Sequence, residues 1–489
     1  MTKKYPTQTS TLSDSTSALA SRSATASSPK IAKSTPSGSS SSSNHEYCIH
    51  TTTLFNSRTK NFDKNISLQV NTKTGLITKV ITRENSSITS PKDNDIDLRS
   101  KTVLPGFVDA HTHIFLHRVD EAGSPYLNQE RDESLISRTI RATTNCRLAL
   151  LAGYTTYRDL GTERCHNADT GVRDSINRGL IPGPRLFVAT EPLASSGSYE
   201  IRQENKLGGT ETPRLSDPCD GIEGCRAGVR RRIGAGADVI KIYAEYRRRA
   251  LRYPASTYKG SEDIQFPPSR NRGEDIFGRR ERLRNPNSLL WSQEEMDVMV
   301  AEAKRAGVPV ASHASSEEAV IMAAKAGVTS IEHGLMPSEK ALQVMKEMGT
   351  IYVPTLSVVE LEANDGGRAI AICKEHTRRA WEMGVKLATG CDTGPFPHGE
   401  NAREMELMVQ AGIDVADVLR AATLGGWEAC GGGLCGQDFG WLGEDWIADL
   451  VALDGDLEED GFEKVIRNVS CVIKDGTLVV ADGKIVGFV

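Results

Sequence analysis

The chain has 489 residues, 38% hydrophobic and 25% charged, the make-up of a soluble protein with room for one large domain and a smaller one. A net charge of −5 argues against general nucleic-acid binding. No apolar run approaches the roughly 18 residues of a membrane-spanning helix, and no apolar core of a secretory signal follows Met1 to Lys4.

Residues 1–46 are rich in Ser, Thr, Ala and Lys and include five consecutive serines after Gly38. Such a segment buries too little apolar surface to offset its ordering entropy, so it is expected to be a disordered tail. It is basic, with Asp14 the one acidic residue in its first 40, but lacks the amphipathic arginine pattern of an organellar presequence. The ten cysteines are scattered, and neither Cys219/Cys225 nor Cys430/Cys435 has zinc-finger spacing. Reduced thiols and a cytoplasmic location are the expectation.

After the tail, Ile66 to Val70 and Leu76 to Ile81 alternate as short strands around a turn-like Asn71 to Gly75. At the other end of the chain, Ala448 to Leu453, Val469 to Lys474, Thr477 to Val480 and Lys484 to Phe488 read as strands. Asp475-Gly476 and Asp482-Gly483 supply their hairpin turns. Residues 47–103 and 436–489 are therefore assigned to one small β-domain built from both ends.

Residues 104–435 repeat one unit, a helical pattern that ends in Gly and passes at once into a short β-run. It occurs at Gly153, Gly236, Gly307, Gly327 and Gly384. Gly supplies the left-handed residue that closes a helix, and the strand follows within one or two positions. Ser292 to Glu295 (Ser-Gln-Glu-Glu) forms a capping box for one of these helices. Five such units over ~280 residues imply a parallel sheet, and a closed (β/α)8 TIM barrel of ~250 residues fits that size. The rival doubly wound sheet lacks a Gly-x-Gly-x-x-Gly after its first strand.

Barrel enzymes carry their chemistry at the C-terminal ends of the strands. The first strand, Val103 to Val108, runs into His111 and His113, whose i, i+2 spacing points both imidazoles to one side, with Asp109 on the same face. Later strands end in Lys241, His313, His333 and Asp392. Ile240 and Ile242 share one face, so if they pack on the helix layer Lys241 points into the barrel. Burial favours its neutral amine, which could then react with CO2 to give a carbamate able to bridge two metals. Taken singly, each residue has a bland reading: a snorkelling lysine, a hydrogen-bonded core histidine, a capping aspartate. Six of them at strand ends of one repeating architecture point to a metal site. Tyr243 and His398 are candidate substrate-binding groups, and His117, Arg158 and Asp159 are weaker candidates. Between residues 247 and 290 lies a long insertion with eleven basic and five acidic residues, read either as a disordered segment or as a lid for an anionic substrate.

With these motifs the chain resembles the metal-dependent amidohydrolase superfamily, in its binuclear, carbamylated-lysine subtype. Within it, the chain is similar to the branch of imidazolonepropionase-related proteins, Xaa-Pro dipeptidases and ochratoxinase-like amidases. The matching positions are His111 and His113 in Gly-Phe-Val-Asp-Ala-His-Thr-His, Lys241 in Asp-Val-Ile-Lys-Ile-Tyr, His313 in Ser-His-Ala, His333 in Ile-Glu-His-Gly and Asp392 in Gly-Cys-Asp-Thr. The resemblance implies two divalent metal ions, zinc first among Zn, Mn, Co and Ni, and a CO2-derived carbamate on Lys241. It also implies hydrolysis of a C–N bond in a small molecule such as an N-acyl amino acid or dipeptide. In that mechanism a metal-bridging hydroxide is the nucleophile and Asp392 shuttles the proton. Lactone, phosphoester or cyclic-amide hydrolysis by the same site, and a non-catalytic scaffold, are the competing readings. The expected partner is a small-molecule substrate, without nucleic acid or membrane, and the sequence leaves a homo-oligomer open.

Overall fold

The glycines that end the repeated helices do so in the left-handed conformation, as at Gly327 (φ 91°) after Glu317–Ala326. The chain then turns straight into the next parallel strand. In the computed structural model, residues 45–88, 92–118, 129–130, 132–198, 213–247, 287–363, 366–457 and 459–487 are described. The expected tail up to residue 44 and the basic insertion between 248 and 286 lie outside them.

Eight parallel segments form a (β/α)8 barrel. Strands one to three are Phe107–Thr112, Tyr154–Asp159 and Arg185–Val188. Strands four to seven are Ile240–Tyr243, Val310–Ala314, Ser330–His333 and Ile351–Val353. Val188 O accepts from Asp238 N at 2.8 Å, which joins three to four. The ring closes through the 387–393 segment. Ala388 N donates to Tyr352 O at 3.1 Å on one side, and Ala110 N donates to Thr389 O at 2.9 Å on the other. Strands three and seven and their helices were not among the expected units.

Both chain ends build a nine-stranded sheet beside the barrel. They meet where Leu450–Leu453 pairs antiparallel with Ile96–Pro105. Ile49, Leu68, Val70, Leu98, Leu450 and Ile473 fill the core of this sheet. Asp475 (φ 51°) and Gly476 (φ 68°) make the left-handed hairpin turn that the Asp-Gly signal implies. The strand Glu46–Asn56, absent from the expected elements, pairs with three neighbours and forms the middle of the sheet. No helix among the described residues is long and apolar enough to cross a membrane.

The second helix after the eighth segment, Val415–Arg420, passes through a π-turn, Ala421–Gly425, into Gly426–Ala429. Its glycines let it approach the barrel closely. A Cβ on Gly425 would stand 2.5 Å from Leu387 O, a backbone atom with little freedom to give. Gly425→Ala is expected to lose about 1–3 kcal/mol through overpacking. Gly224→Ala, in the helix Gly221–Gly234 with nothing within 4 Å of its Cβ, is expected to gain about 0.4–1 kcal/mol. Thermal denaturation of the two variants beside the wild type should move Tm in opposite directions.

Candidate active site

Strand one delivers His111 and His113 to the C-terminal rim of the barrel, and the 387–393 segment delivers Asp392 beside them. Ligand atoms of these three residues lie within 4.8 Å of one another. Asp392 Oδ1 is 3.6 Å from His111 Nε2 and 3.4 Å from His113 Nε2. His333, at the end of strand six, has its Nδ1 4.0 Å from Asp392 Oδ2. The rings continue as an arc. His111 and His333 are 4.8 Å apart by centroid, His333 and His313 are 4.6 Å, and His313 and Tyr243 are 5.4 Å.

Lys241 stands inside this arc, 2% exposed, with its Nζ 5.9 Å from the centre of the Tyr243 ring. Burial pushes its ammonium down to about 8, against the opposing pull of Glu332 and Asp392. Burial lifts the Asp392 carboxyl to about 6, with His113 and Lys241 holding it back. His111 is driven well below the usual imidazole range by burial and then by the Lys241 charge. For His113 burial works in the same direction, but Glu163 beside it prevails and raises the ring to about 9.

Each of three histidines is gripped at Nδ1. His111 faces Glu332 Oε2 at 2.9 Å, His113 faces Gly161 O and Glu163 Oε1 at 3.1 Å each, and His333 faces Thr355 Oγ1 at 3.0 Å. This leaves His111 and His113 with Nε2 turned toward Asp392. Two imidazole nitrogens and a carboxylate converging in this way are a donor set that fits a divalent metal.

Asp109 serves a different purpose from the one its position on the strand implies. Its Oδ1 accepts from His111 N at 3.0 Å and Cys391 N at 3.2 Å, and its Oδ2 accepts from Asn401 Nδ2 at 2.6 Å. It therefore clamps strand one to the eighth segment. His398 donates from Nε2 to Leu116 O at 3.1 Å, linking the loop after the eighth segment to the loop after strand one. His117 pairs with Glu133 at 2.7 Å. Glu163, Glu332 and Thr355, which hold the histidines, were not singled out by sequence. The buried strand Ser-Ile-Glu-His carries Glu332 directly before a candidate ligand, but nothing in that pattern says what the carboxylate contacts.

The insertion leaves and returns through a two-stranded ladder, Glu245–Arg247 against Asn287–Leu289. Buried Glu245 accepts from Ser315 N and Ser316 N at 2.7 Å each, anchoring the ladder to the loop after strand five. Tyr246 on the ladder stands 5.3 Å by centroid from His313, so the base of the insertion borders the arc.

Residues 102–479 match the model of the amidohydrolase family. The chain belongs to that family. This amidohydrolase is 29% identical to an ochratoxinase from Aspergillus niger over 390 residues, 74% of this chain and 72% of that protein. It is 25% identical to an imidazolonepropionase from Symbiobacterium thermophilum over 418 residues, 81% of this chain and 85% of that one. Among solved structures, a Xaa-Pro dipeptidase with bound methionine in the active site superposes with a TM-score of 0.68 at 28% identity. That match covers 88% of this chain and 99% of the dipeptidase.

Burial of Lys241 has a consequence for stability. Its folded pKa of about 8 lies below the 10.5 of a free lysine, so the unfolded chain holds the proton more tightly. Between those values stability gained from this residue rises with pH. In metal-stripped, CO2-free protein, the denaturation midpoint of the wild type relative to Lys241→Met is expected to climb from pH 8 to pH 10.5. A pH-independent difference would contradict this.

Proposed function

We propose that this amidohydrolase is a metal-dependent hydrolase of an amide-type C–N bond in a small molecule such as an N-acyl amino acid or dipeptide. The observation that carries the reading is the convergence of His111, His113 and Asp392 within 4.8 Å on the rim where barrel enzymes place their chemistry. Support comes from the names of the relatives, an ochratoxinase and a Xaa-Pro dipeptidase.

In this reading His111, His113 and Asp392 would hold one metal, His313 and His333 would hold a second, and Lys241 as its carbamate would supply an anionic oxygen ligand. When bound, two divalent ions activate a water and polarise the scissile carbonyl. The protein's own groups perform the proton chemistry. Asp392, at about 6, is largely ionised near neutral pH, so it can take the proton of the attacking water. Once protonated it delivers that proton to the leaving nitrogen. Lys241, at about 8, keeps a fraction of neutral amine for reaction with CO2. Tyr243, buried beside His313, and His398 are each assigned to polarising the substrate carbonyl or holding a substrate carboxylate.

Purified protein is expected to hold about two divalent ions per chain by elemental analysis, falling sharply in Lys241→Ala. On an amide it cleaves, Asp392→Asn is expected to lower kcat/KM by ~10²–10⁴-fold with the fold intact by circular dichroism. A panel of N-acyl amino acids, Xaa-Pro dipeptides, lactones and phosphoesters decides the bond. Turnover of lactones or phosphoesters alone would replace the amide reading, and a metal-free wild type would promote the scaffold.

A further inference from the structure

A TIM barrel is normally filled by layers of branched apolar side chains. Beneath the histidine arc this one carries a charged pair. Arg158 on strand two and Glu332 on strand six come from opposite sides of the ring, and both are completely buried. Arg158 Nη2 donates to Glu332 Oε1 at 2.7 Å, Nη1 donates to Ser330 Oγ at 2.9 Å and Ala429 O at 2.7 Å, and Nε donates to Ala110 O at 2.6 Å. Ser330 Oγ also donates to Glu332 Oε1, at 2.5 Å. Every heavy atom of the guanidinium that bears hydrogen is thus engaged. One partner, Ala429 O, lies at the end of a helix, where a cation is favoured.

The other carboxylate oxygen, Glu332 Oε2, faces His111 Nδ1 at 2.9 Å. With Oε1 taken up by the Arg158 and Ser330 donors, Oε2 is left to accept from Nδ1–H, and in the neutral ring a proton on Nδ1 leaves the lone pair on Nε2. Resting on the metal-site reading above, we propose that the Arg158–Glu332 pair is a positioning device that fixes His111 as its Nδ1–H tautomer, with Nε2 ready to ligate. Arg158 acts on the site only through Glu332. By saturating Oε1 with two donors, it commits Oε2 to the histidine.

Glu332→Gln separates this role from packing. The amide is nearly isosteric, but Arg158 and Ser330 both donate toward one end of it, so its oxygen turns to them and its NH2 turns to His111. Nδ1 then becomes the acceptor and the proton moves to Nε2, where the metal should bind. The replacement Arg158→Met with Glu332→Met removes both charges together, a change that buried ion pairs often tolerate without loss of stability.

The test is zinc affinity of the metal-stripped full chain, by competition with a chromophoric chelator, for the wild type and both variants. Folding is checked by circular dichroism. Folded Glu332→Gln and the double methionine variant are each expected to bind the tighter zinc ~10–100-fold more weakly. Wild-type affinity in either folded variant overturns the proposal. A second measurement needs no variant: 15N shifts of the His111 ring in metal-stripped wild type should report Nδ1–H, and an Nε2–H ring overturns the proposal even if the variants do not fold. If the wild type binds no zinc, the proposed function falls, and the tautomer still decides this inference on its own.

Discussion

The hydrogen bonds that close the barrel between the 387–393 segment and strand one are the constraint on which the site depends. Asp392 N donates to His111 O at 2.9 Å, and the Asp109 carboxylate accepts from the backbone of His111 and Cys391 together. Asp392 reaches the two histidines because the eighth segment is sewn to the first strand next to them. A sheet that stayed open at this seam would leave the histidines on one edge and the aspartate on another. Closure of the ring and assembly of the site are thus one event.

The cost of that assembly is electrostatic. Lys241, three imidazoles and several carboxylates are taken out of water in one place, and each must find a partner or change its protonation. The three imidazoles do so through Nδ1 acceptors, and Asp109 through three donors. Backbone strain gathers at the same rim. Glu163, His333, Thr355 and Asp392 all have positive φ, which non-glycine residues rarely adopt. Such residues hold these conformations because the ring beneath them is rigid, and the site is the place where the conformations are used.

Much of this was legible in the chain. The glycines that end helices gave the αβ repeat, the Asp-Gly pairs gave the hairpins of the composite sheet, and the alternation of Ile240 and Ile242 put Lys241 inside. Strands three and seven were less visible because they have four and three residues, are buried on both faces, and show no periodicity that separates them from a helix. The second layer of the site was hidden for a different reason. What Glu163, Glu332 and Thr355 do is decided by a contact across the barrel, and no local pattern encodes it. Asp109 shows the converse. Its parity with His111 suggested a ligand, but a carboxylate two residues earlier on the strand sits deeper in the seam, within reach of backbone amides.

We propose that six strand-end residues form one binuclear centre bridged through Lys241. Anomalous diffraction from crystals of the full chain grown with zinc and bicarbonate tests it most directly. Two anomalous peaks are predicted, one among His111, His113 and Asp392 and one beside His313 and His333, with density extending from Lys241 Nζ between them. A single peak with an unmodified lysine, or none at all, would contradict it.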